Sequence, residues 1–167
     1  MEKLAAQFYT VREFTKNAKD FAKTCKRVKK IGYDGVQLSA IGPIPPKEIQ
    51  KILSGEGLEC VATHISFDRI EKETNAVIDE HLMWGCRYPA IGGFFPQGGT
   101  GLKLKTWKDF LKRFNKCAAL LAEAGLSLGY HNHFHEFLKL PDGLTCYEHL
   151  IRELDPFNAW FEIDTYW

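Results

Sequence analysis

The run His131, Asn132, His133, Phe134 and His135 is the densest group of reactive side chains in this 167-residue sequence. In an extended strand, alternate side chains share a face, so His131 and His133 are predicted to project from the same side. Neutral imidazole is a good ligand for Zn²⁺, Mn²⁺, Co²⁺ or Fe²⁺. The HxH pattern therefore predicts a metal site, with hydrogen bonding inside a protein core as the alternative.

Asp164 is the strongest single candidate for a further metal ligand. It follows the apolar residues Phe161 and Ile163 in the segment AWFEIDTYW. An unpaired carboxylate in such a segment is costly to bury. Metal ligation is favoured because imidazoles are expected nearby, and the alternatives are that Asp164 caps the next loop or pairs with a lysine.

Other polar residues stand at the ends of predicted strands. Gln37 ends the second strand, His64 the third and Asp164 the sixth. The carboxyl ends of parallel strands lie on one face of a barrel, where barrel active sites form, so these side chains are predicted to converge. For His64 alone, a structural role and a functional role are equally consistent with the sequence.

The elements that must position these residues alternate along the chain. Amphipathic helices end near a glycine or a turn, and a short strand follows each one. The clearest helix runs from Trp107 to Ala124, and its apolar face comprises Trp107, Phe110, Leu111, Phe114, Cys117, Ala118 and Leu121. With an opening strand near Ala5 to Tyr9, the pattern predicts six strands and five helices in one domain over residues 1–167.

Two local features of this pattern can be checked directly. Thr15 is predicted to cap the first helix, which ends at Gly32. The glycine-rich stretch over residues 94–106 is predicted to be either a mobile lid over a site or a plain connection.

The alternation predicts parallel strands joined by right-handed crossovers, in a barrel or in an open doubly wound sheet. Central strands of an open sheet are apolar on both faces. Here Phe161 and Ile163 alternate with Trp160, Glu162 and Asp164, and no GxGxxG or GxxxxGK[ST] motif follows a strand. The sequence therefore predicts a (β/α)₈ TIM barrel whose helices cover the apolar strand faces, with the polar faces inside.

Composition argues against several classes of protein. The 22 basic residues balance 21 acidic residues, which gives no reason to expect a nucleic-acid partner. No apolar stretch approaches the roughly 20 residues needed to cross a bilayer, and the amino terminus lacks the apolar core of a signal peptide. The five cysteines form no CxxC pair, which favours reduced core thiols in a cytoplasmic protein.

Four segments, IGYDGVQLS, VATHIS, LGYHNHFHEF and FEIDTYW, resemble the sugar phosphate isomerase/epimerase family of xylose-isomerase-like barrels. They follow the order and spacing of that family, and the resemblance covers nearly the whole chain. It implies a TIM barrel that binds a divalent metal ion (Mn, Co, Zn or Mg) and a small-molecule sugar, sugar acid or cyclitol. In the family, the metal polarises substrate oxygens and carboxylates move a proton at the adjacent carbon.

The resemblance implies roles for single residues. Asp164 matches the metal ligand at the end of strand six. His131 takes the place of the strand-five glutamate, which makes it a candidate metal ligand and catalytic base. His64 matches a substrate-contacting histidine of strand three, and Gln37 stands where many members carry a glutamate.

Three more residues are candidates for substrate binding. His133 is expected to face substrate or metal, and Trp167 falls where some epimerases have a substrate-binding histidine. Glu136, which follows the histidines, is expected either to reach a sugar hydroxyl or to be a solvated loop charge.

Two departures from the family pattern bear on activity. The strand-five glutamate is absent, so either His131 is the base or the reaction differs, as in a dehydration or lyase step. The sequence ends after the sixth predicted strand, so it lacks the ligands of strands seven and eight. We therefore expect this chain alone to bind metal weakly and to have little activity, and its open strand edges favour a homodimer.

Two other functions are compatible with the same fold. One is a non-catalytic sugar-binding or assembly module, and the other is a metal-dependent endonuclease of the barrel superfamily. The endonuclease would need more metal ligands and a basic surface facing DNA, which the net charge of +1 does not support.

Overall fold

A computed structural model describes residues 3–94 and 103–167. The strands are β1 (Ala5–Gln7), β2 (Gly35–Leu38), β3 (Glu59–His64), β4 (Pro89–Ile91), β5 (Leu128–His131) and β6 (Ala159–Glu162). The helices are α1 (Ala18–Ile31), α2 (Pro46–Glu56), α3 (Phe67–Lys72), α4 (Thr74–Trp84), α5 (Leu104–Glu123) and α6 (Cys146–Glu153). Short 3₁₀ helices span Phe8–Phe14 and Phe134–Phe137.

The chain divides into two compact units. The first contains residues 1–65 and 75–89, and the second contains residues 66–74 and 90–167. Each unit contains parallel strands with helices packed on them. The prediction of one domain over residues 1–167 stays a prediction.

In the first unit, β1 pairs in parallel with β2 and β2 with β3. Helix α1 begins where the Asn17 side chain accepts a hydrogen bond from the Asp20 N–H, and it ends at Gly32, whose φ of 114° favours glycine. Its apolar face is buried in a core whose members include Phe8, Phe21, Cys25, Val36, Leu38, Ile49 and Leu53.

In the second unit, β5 lies between β4 and β6 and pairs in parallel with both. Helix α5 buries all seven residues of its predicted apolar face. Trp107, Phe110 and Phe114 on that face lie against the ring of Tyr130 in β5, with ring centroids 6.0 to 6.4 Å apart. This packing fixes the strand that carries His131.

The sequence predicted most of these elements, but several details were wrong. Strand β1 ends at Gln7 rather than Tyr9, because a 3₁₀ helix follows immediately. Thr15 does not cap α1; it is buried, and its hydroxyl donates to the Arg12 carbonyl. Ile163 is 69% exposed rather than covered by a helix.

Two further points concern segments that the periodicity did not resolve. Helix α3 was not predicted, because six residues are too few to show a helical period. Residues 95–102 of the glycine-rich stretch lie outside the described residues, so its two interpretations stay open.

All five cysteines are buried and none is in a disulfide, as predicted. Within residues 3–94 and 103–167, no helix combines the length and the apolarity needed to span a membrane.

Candidate metal and substrate site

His131, Glu162 and Asp164 come together in the second unit. The parallel register of β5 and β6 places His131 beside Glu162. The Nδ1 atom of His131 lies 3.5 Å from Glu162 Oε1, and its Nε2 atom lies 3.6 Å from Asp164 Oδ2. One buried imidazole is therefore flanked by two carboxylates.

Asn132 holds the backbone of Asp164 in place. The Asp164 N–H donates to Asn132 Oδ1 at 2.9 Å, and Asn132 Nδ2 donates to the Asp164 carbonyl at 3.2 Å. Asp164 Oδ1 accepts a hydrogen bond from the Tyr166 N–H at 2.9 Å. One carboxylate oxygen thus caps the following turn, which was the alternative interpretation, while the other faces His131.

His133 is close to this group, although it is not in the strand. Strand β5 ends at His131, and His133 precedes the 3₁₀ helix Phe134–Phe137. The ring centroid of His133 still lies 4.8 Å from that of His131 and 5.3 Å from that of Trp167. His131 and His133 are therefore close together, as predicted. The predicted reason, that both lie on one face of a strand, is wrong.

Glu136 is fully buried, so its interpretation as a solvated loop charge is wrong. Its Oε2 accepts from the His133 N–H at 2.7 Å, and its Oε1 accepts from the Tyr130 hydroxyl at 2.7 Å. These bonds begin the 3₁₀ helix and join it to β5. In this position Glu136 orients His133 and presents no surface to a sugar hydroxyl.

Burial sets the protonation of the histidines near Glu136. It lowers the pKa of His133 from the usual 6.5, and the neighbouring His131 lowers that pKa further. Burial also lowers the pKa of His135. Both imidazoles are therefore neutral at pH 7, the form that binds metal ions.

Burial has the opposite effect on the two acids of this group, because it disfavours their charged forms. Burial raises the pKa of Glu136. Hydrogen bonds from Tyr130 and His133 favour the ionised carboxylate and oppose this effect, but burial is the larger influence. The pKa of Tyr130 is raised well above 10.0 by burial and by the adjacent Glu136.

The other predicted site residues lie in the first unit. Gln37 is a buried residue of β2, and His64 ends β3. The Ser39 hydroxyl lies 3.0 Å from His64 Nδ1. His81 in α4 hydrogen-bonds with the Thr63 hydroxyl at 2.7 Å and with the Val77 carbonyl at 2.7 Å, so its environment is that of a core histidine.

Sequence reasoning overlooked Glu162 and Asn132 as members of the site. The alternation of the last strand had placed Glu162 on the predicted inward face together with Asp164. That placement was a signal that Glu162 could belong to the site. Asn132 gave no signal, because its contribution is a pair of hydrogen bonds to a backbone 32 residues away.

The donor atoms around His131 fit a divalent cation. Two bonds of about 2.1 Å can span the 3.6 Å between His131 Nε2 and Asp164 Oδ2. The other ring nitrogen faces Glu162, as in metal sites where a carboxylate orients a ligating histidine. Imidazole with carboxylate suits Mn²⁺, Co²⁺ or Zn²⁺.

Solved structures resemble this chain along nearly its full length. Two sugar phosphate isomerases/epimerases from Parabacteroides distasonis ATCC 8503 are similar to it, one with a TM-score of 0.83 and 21% identity, the other with 0.82 and 23%. The alignments cover 99% and 100% of this chain, and 66% and 70% of those structures. The chain thus spans about two thirds of the length of these two structures.

More distant structures share the fold. An AP endonuclease, family 2, from Brucella melitensis has a TM-score of 0.69 and 17% identity, over 99% of this chain and 69% of its own. A xylose isomerase-like TIM barrel protein from Mycobacterium smegmatis, in complex with magnesium, has a TM-score of 0.68 and 14% identity, over 97% of this chain and 66% of its own.

No family model matches the sequence, and no curated protein matches it. At these identities the likeness establishes the fold. The predicted fold class is therefore confirmed over the length of this chain: its six strands and alternating helices have the xylose-isomerase-like TIM-barrel fold of these sugar phosphate isomerases/epimerases.

Proposed function

We propose that this chain carries the metal centre of a divalent-metal-dependent sugar isomerase or epimerase, which moves a proton next to a carbonyl. The substrate class is a sugar, sugar phosphate, sugar acid or cyclitol. The observation that supports this most strongly is the 3.6 Å separation of His131 Nε2 and Asp164 Oδ2, two groups 33 positions apart in the sequence. The fold shared with sugar phosphate isomerases/epimerases supports the substrate class.

His131 was predicted both to bind the metal and to act as the base, and one imidazole cannot do both at once. Its two nitrogens face Asp164 and Glu162. We assign Nε2, with Asp164 Oδ2, to the cation. Glu162 then accepts the Nδ1–H, which fixes the tautomer that leaves Nε2 unprotonated.

Glu162 becomes the proton acceptor in this scheme. Its side chain is 18% exposed, so a substrate can reach it, and a carboxylate base matches the chemistry of the family. When bound, the cation supplies Lewis acidity to the substrate's carbonyl oxygen. Glu162 removes the proton from the adjacent carbon, the C–H electron pair moves toward the carbonyl oxygen, and the proton returns to a carbon of the product.

Of the remaining predicted residues, Trp167 binds substrate in this proposal. Trp167 is half exposed and offers its ring to the apolar face of a sugar, next to His133. That Gln37 and His64 contact substrate stays a prediction from the sequence. A homodimer and a cytoplasmic location remain predictions.

The test measures Mn²⁺ binding and turnover separately. Isothermal titration is expected to give one Mn²⁺ site, with Kd weakened about 100-fold by Asp164→Asn and by His131→Gln. Glu162→Gln is expected to weaken Mn²⁺ binding by about tenfold, because an orienting group of His131 is changed, and to lose turnover at saturating Mn²⁺ of a panel of sugars, sugar phosphates and inositol derivatives by about 1,000-fold.

Asp142→Asn is the matched control, because that carboxylate lies 3.0 Å from the buried His149 and away from His131. It is expected to leave Mn²⁺ binding unchanged. Unchanged Mn²⁺ affinity in Asp164→Asn would contradict the proposal. Binding without turnover of any panel member would favour a non-catalytic sugar-binding or assembly module.

The similarity to an AP endonuclease supports one alternative function, metal-dependent cleavage of DNA. The near balance of 22 basic and 21 acidic residues argues against it, because DNA binding relies on basic surface. A nicking assay with Mn²⁺ and plasmid DNA is expected to show no cleavage above that of Asp164→Asn. Cleavage that depends on Asp164 would favour the endonuclease.

A further inference from the structure

A second cluster of metal-binding side chains follows β5. His133, His135 and Glu136 each offer one ligand atom, and these three atoms lie within 4.8 Å of one another. The rings of His133 and His135 are stacked, with centroids 5.5 Å apart and planes inclined by 24°. His135 Nε2 lies 2.9 Å from Glu136 Oε1.

The burial of Glu136 makes a cation favourable at this place. Its carboxylate is fully buried, and hydrogen bonds reach it from the neutral Tyr130 hydroxyl and His133 N–H. Among residues 3–94 and 103–167, no lysine or arginine forms an ion pair with it. A buried carboxylate is stabilised by a positive charge, which a bound cation would supply.

We propose that His133, His135 and Glu136 form a three-ligand site for a zinc-type cation. Two imidazoles and one carboxylate are a known ligand set for Zn²⁺ sites that keep a fourth position open. His135 also lines a cleft of about 540 Å³, bordered by Leu138 and Cys146, which gives solvent a route to this ligand. The open position would take water or a small anionic or hydroxylated ligand.

The ligands of this site differ from those of the proposed isomerase centre. The centre around His131 has one imidazole between two carboxylates, whereas this cluster has two imidazoles and a single carboxylate. The richer nitrogen set favours Zn²⁺ or Co²⁺ over Mn²⁺ and Mg²⁺. Neither set shares a ligand with the other, so each can be removed alone.

The test uses Zn²⁺ titration of the full 167-residue chain and four variants. Wild type is expected to bind two equivalents, because Zn²⁺ also suits the His131 and Asp164 centre. Asp164→Asn and His135→Gln are each expected to bind one equivalent of Zn²⁺. The double variant is expected to bind Zn²⁺ at least about 100-fold more weakly than wild type. Co²⁺ bound to Asp164→Asn is expected to give the visible absorption spectrum of a tetrahedral site. The Asp164→Asn/His135→Gln double variant is expected to lack that spectrum.

The outcomes separate the two centres. If His135→Gln binds Zn²⁺ with the stoichiometry and affinity of wild type, the second site is absent, whatever Asp164→Asn does. If Asp164→Asn binds Zn²⁺ as wild type does while His135→Gln loses one equivalent, the proposed isomerase centre is refuted and the second site is supported. Glu136→Gln, which keeps the shape of the side chain, is the fourth variant and decides the question if His135→Gln does not fold, as judged by circular dichroism. Retention of both zinc equivalents in Glu136→Gln would also overturn the site.

Discussion

Single residues determine whether the candidate site can bind a cation. His131 and Asp164 were predicted from the HxH pattern and from an acid at the end of an apolar strand, and they lie 3.6 Å apart. The positions of the two oxygens of Asp164 were not predictable, because they depend on Asn132 and on the Tyr166 N–H, and neither hydrogen bond has a sequence signature.

Asn132 is expected to act on cation binding through the Asp164 backbone. Asn132→Ala removes two hydrogen bonds to that backbone, so the free energy of unfolding should fall by about 1–3 kcal/mol. The Kd for Mn²⁺ should rise roughly tenfold, because an orienting group of a ligand is lost. Urea unfolding and isothermal titration measure the two effects.

Asn115→Ala is the matched control, since Asn115 makes the same pair of main-chain bonds to Glu153 and Asp155, away from His131. It should cost similar stability and leave the Mn²⁺ affinity unchanged. An equal loss of Mn²⁺ affinity in both variants would show that Asn132 acts only through general stability.

The neutral imidazoles of His133 and His135 predict acid sensitivity. Their pKa values are lowered in the folded state, so the unfolded chain binds protons more readily below pH 6.5. The stability they contribute is present above pH 6.5 and is lost as the pH falls through their folded-state pKa values. Urea midpoints between pH 7.5 and about 5 should fall less steeply in a His133→Gln/His135→Gln double variant than in wild type. Parallel slopes would refute the assignment.

Elements position these residues through strand register and local capping. The sequence predicted the five helices α1, α2, α4, α5 and α6 because apolar periods, prolines and glycines mark them. It placed His133 in a strand because HxH matches a period of two, but Glu136 reaches back to the His133 N–H and starts a 3₁₀ helix instead. This hydrogen bond between residues three positions apart stabilises the 3₁₀ helix more than the weak HxH pattern favours a continued strand.

The β5–β6 pairing depends on Gly129. A Cβ atom at Gly129 would lie 2.4 Å from Cε2 and 2.6 Å from Cζ2 of the Trp160 ring, which is itself fixed by a hydrogen bond from its Nε1 to the Ser127 carbonyl. Gly129→Ala is therefore expected to lower the free energy of unfolding by about 1–3 kcal/mol, as overpacking does. Because register sets the distance between His131 and Glu162, Mn²⁺ affinity should fall as well.

Gly55→Ala provides the contrast, because nothing lies within 4 Å of a Cβ at that helical position. It should raise the free energy of unfolding by about 0.4–1 kcal/mol. Thermal or urea unfolding of both variants measures the difference. If Gly129→Ala proved as stable as wild type, the close packing of Trp160 on β5 would be wrong.

At the scale of the whole molecule, strict alternation of strands and helices predicted the fold class, and the similarity to sugar phosphate isomerases/epimerases confirms it. The fold class was the most predictable feature of the molecule. Strands that alternate with helices, right-handed crossovers and the parallel direction of the strands leave few possible topologies. The chain divides into two compact units, and the His131, Glu162 and Asp164 group belongs to the second.

Cation binding should stabilise the whole chain, because the ligands converge only in the folded state. At a Mn²⁺ concentration of about 100 times Kd, the free energy of unfolding should rise by about 2.7 kcal/mol. Asp164→Asn should show no such increase at the same concentration. Urea unfolding with and without Mn²⁺ measures this, and an equal gain in both proteins would place the bound cation elsewhere.

The most direct measurement is a crystal structure of the chain soaked with Mn²⁺, with anomalous data collected to locate the ion. A peak within about 2.3 Å of both His131 Nε2 and Asp164 Oδ2 is the predicted result. An absence of any anomalous peak at saturating Mn²⁺, or a peak coordinated by neither residue, would contradict a metal centre at the ends of β5 and β6.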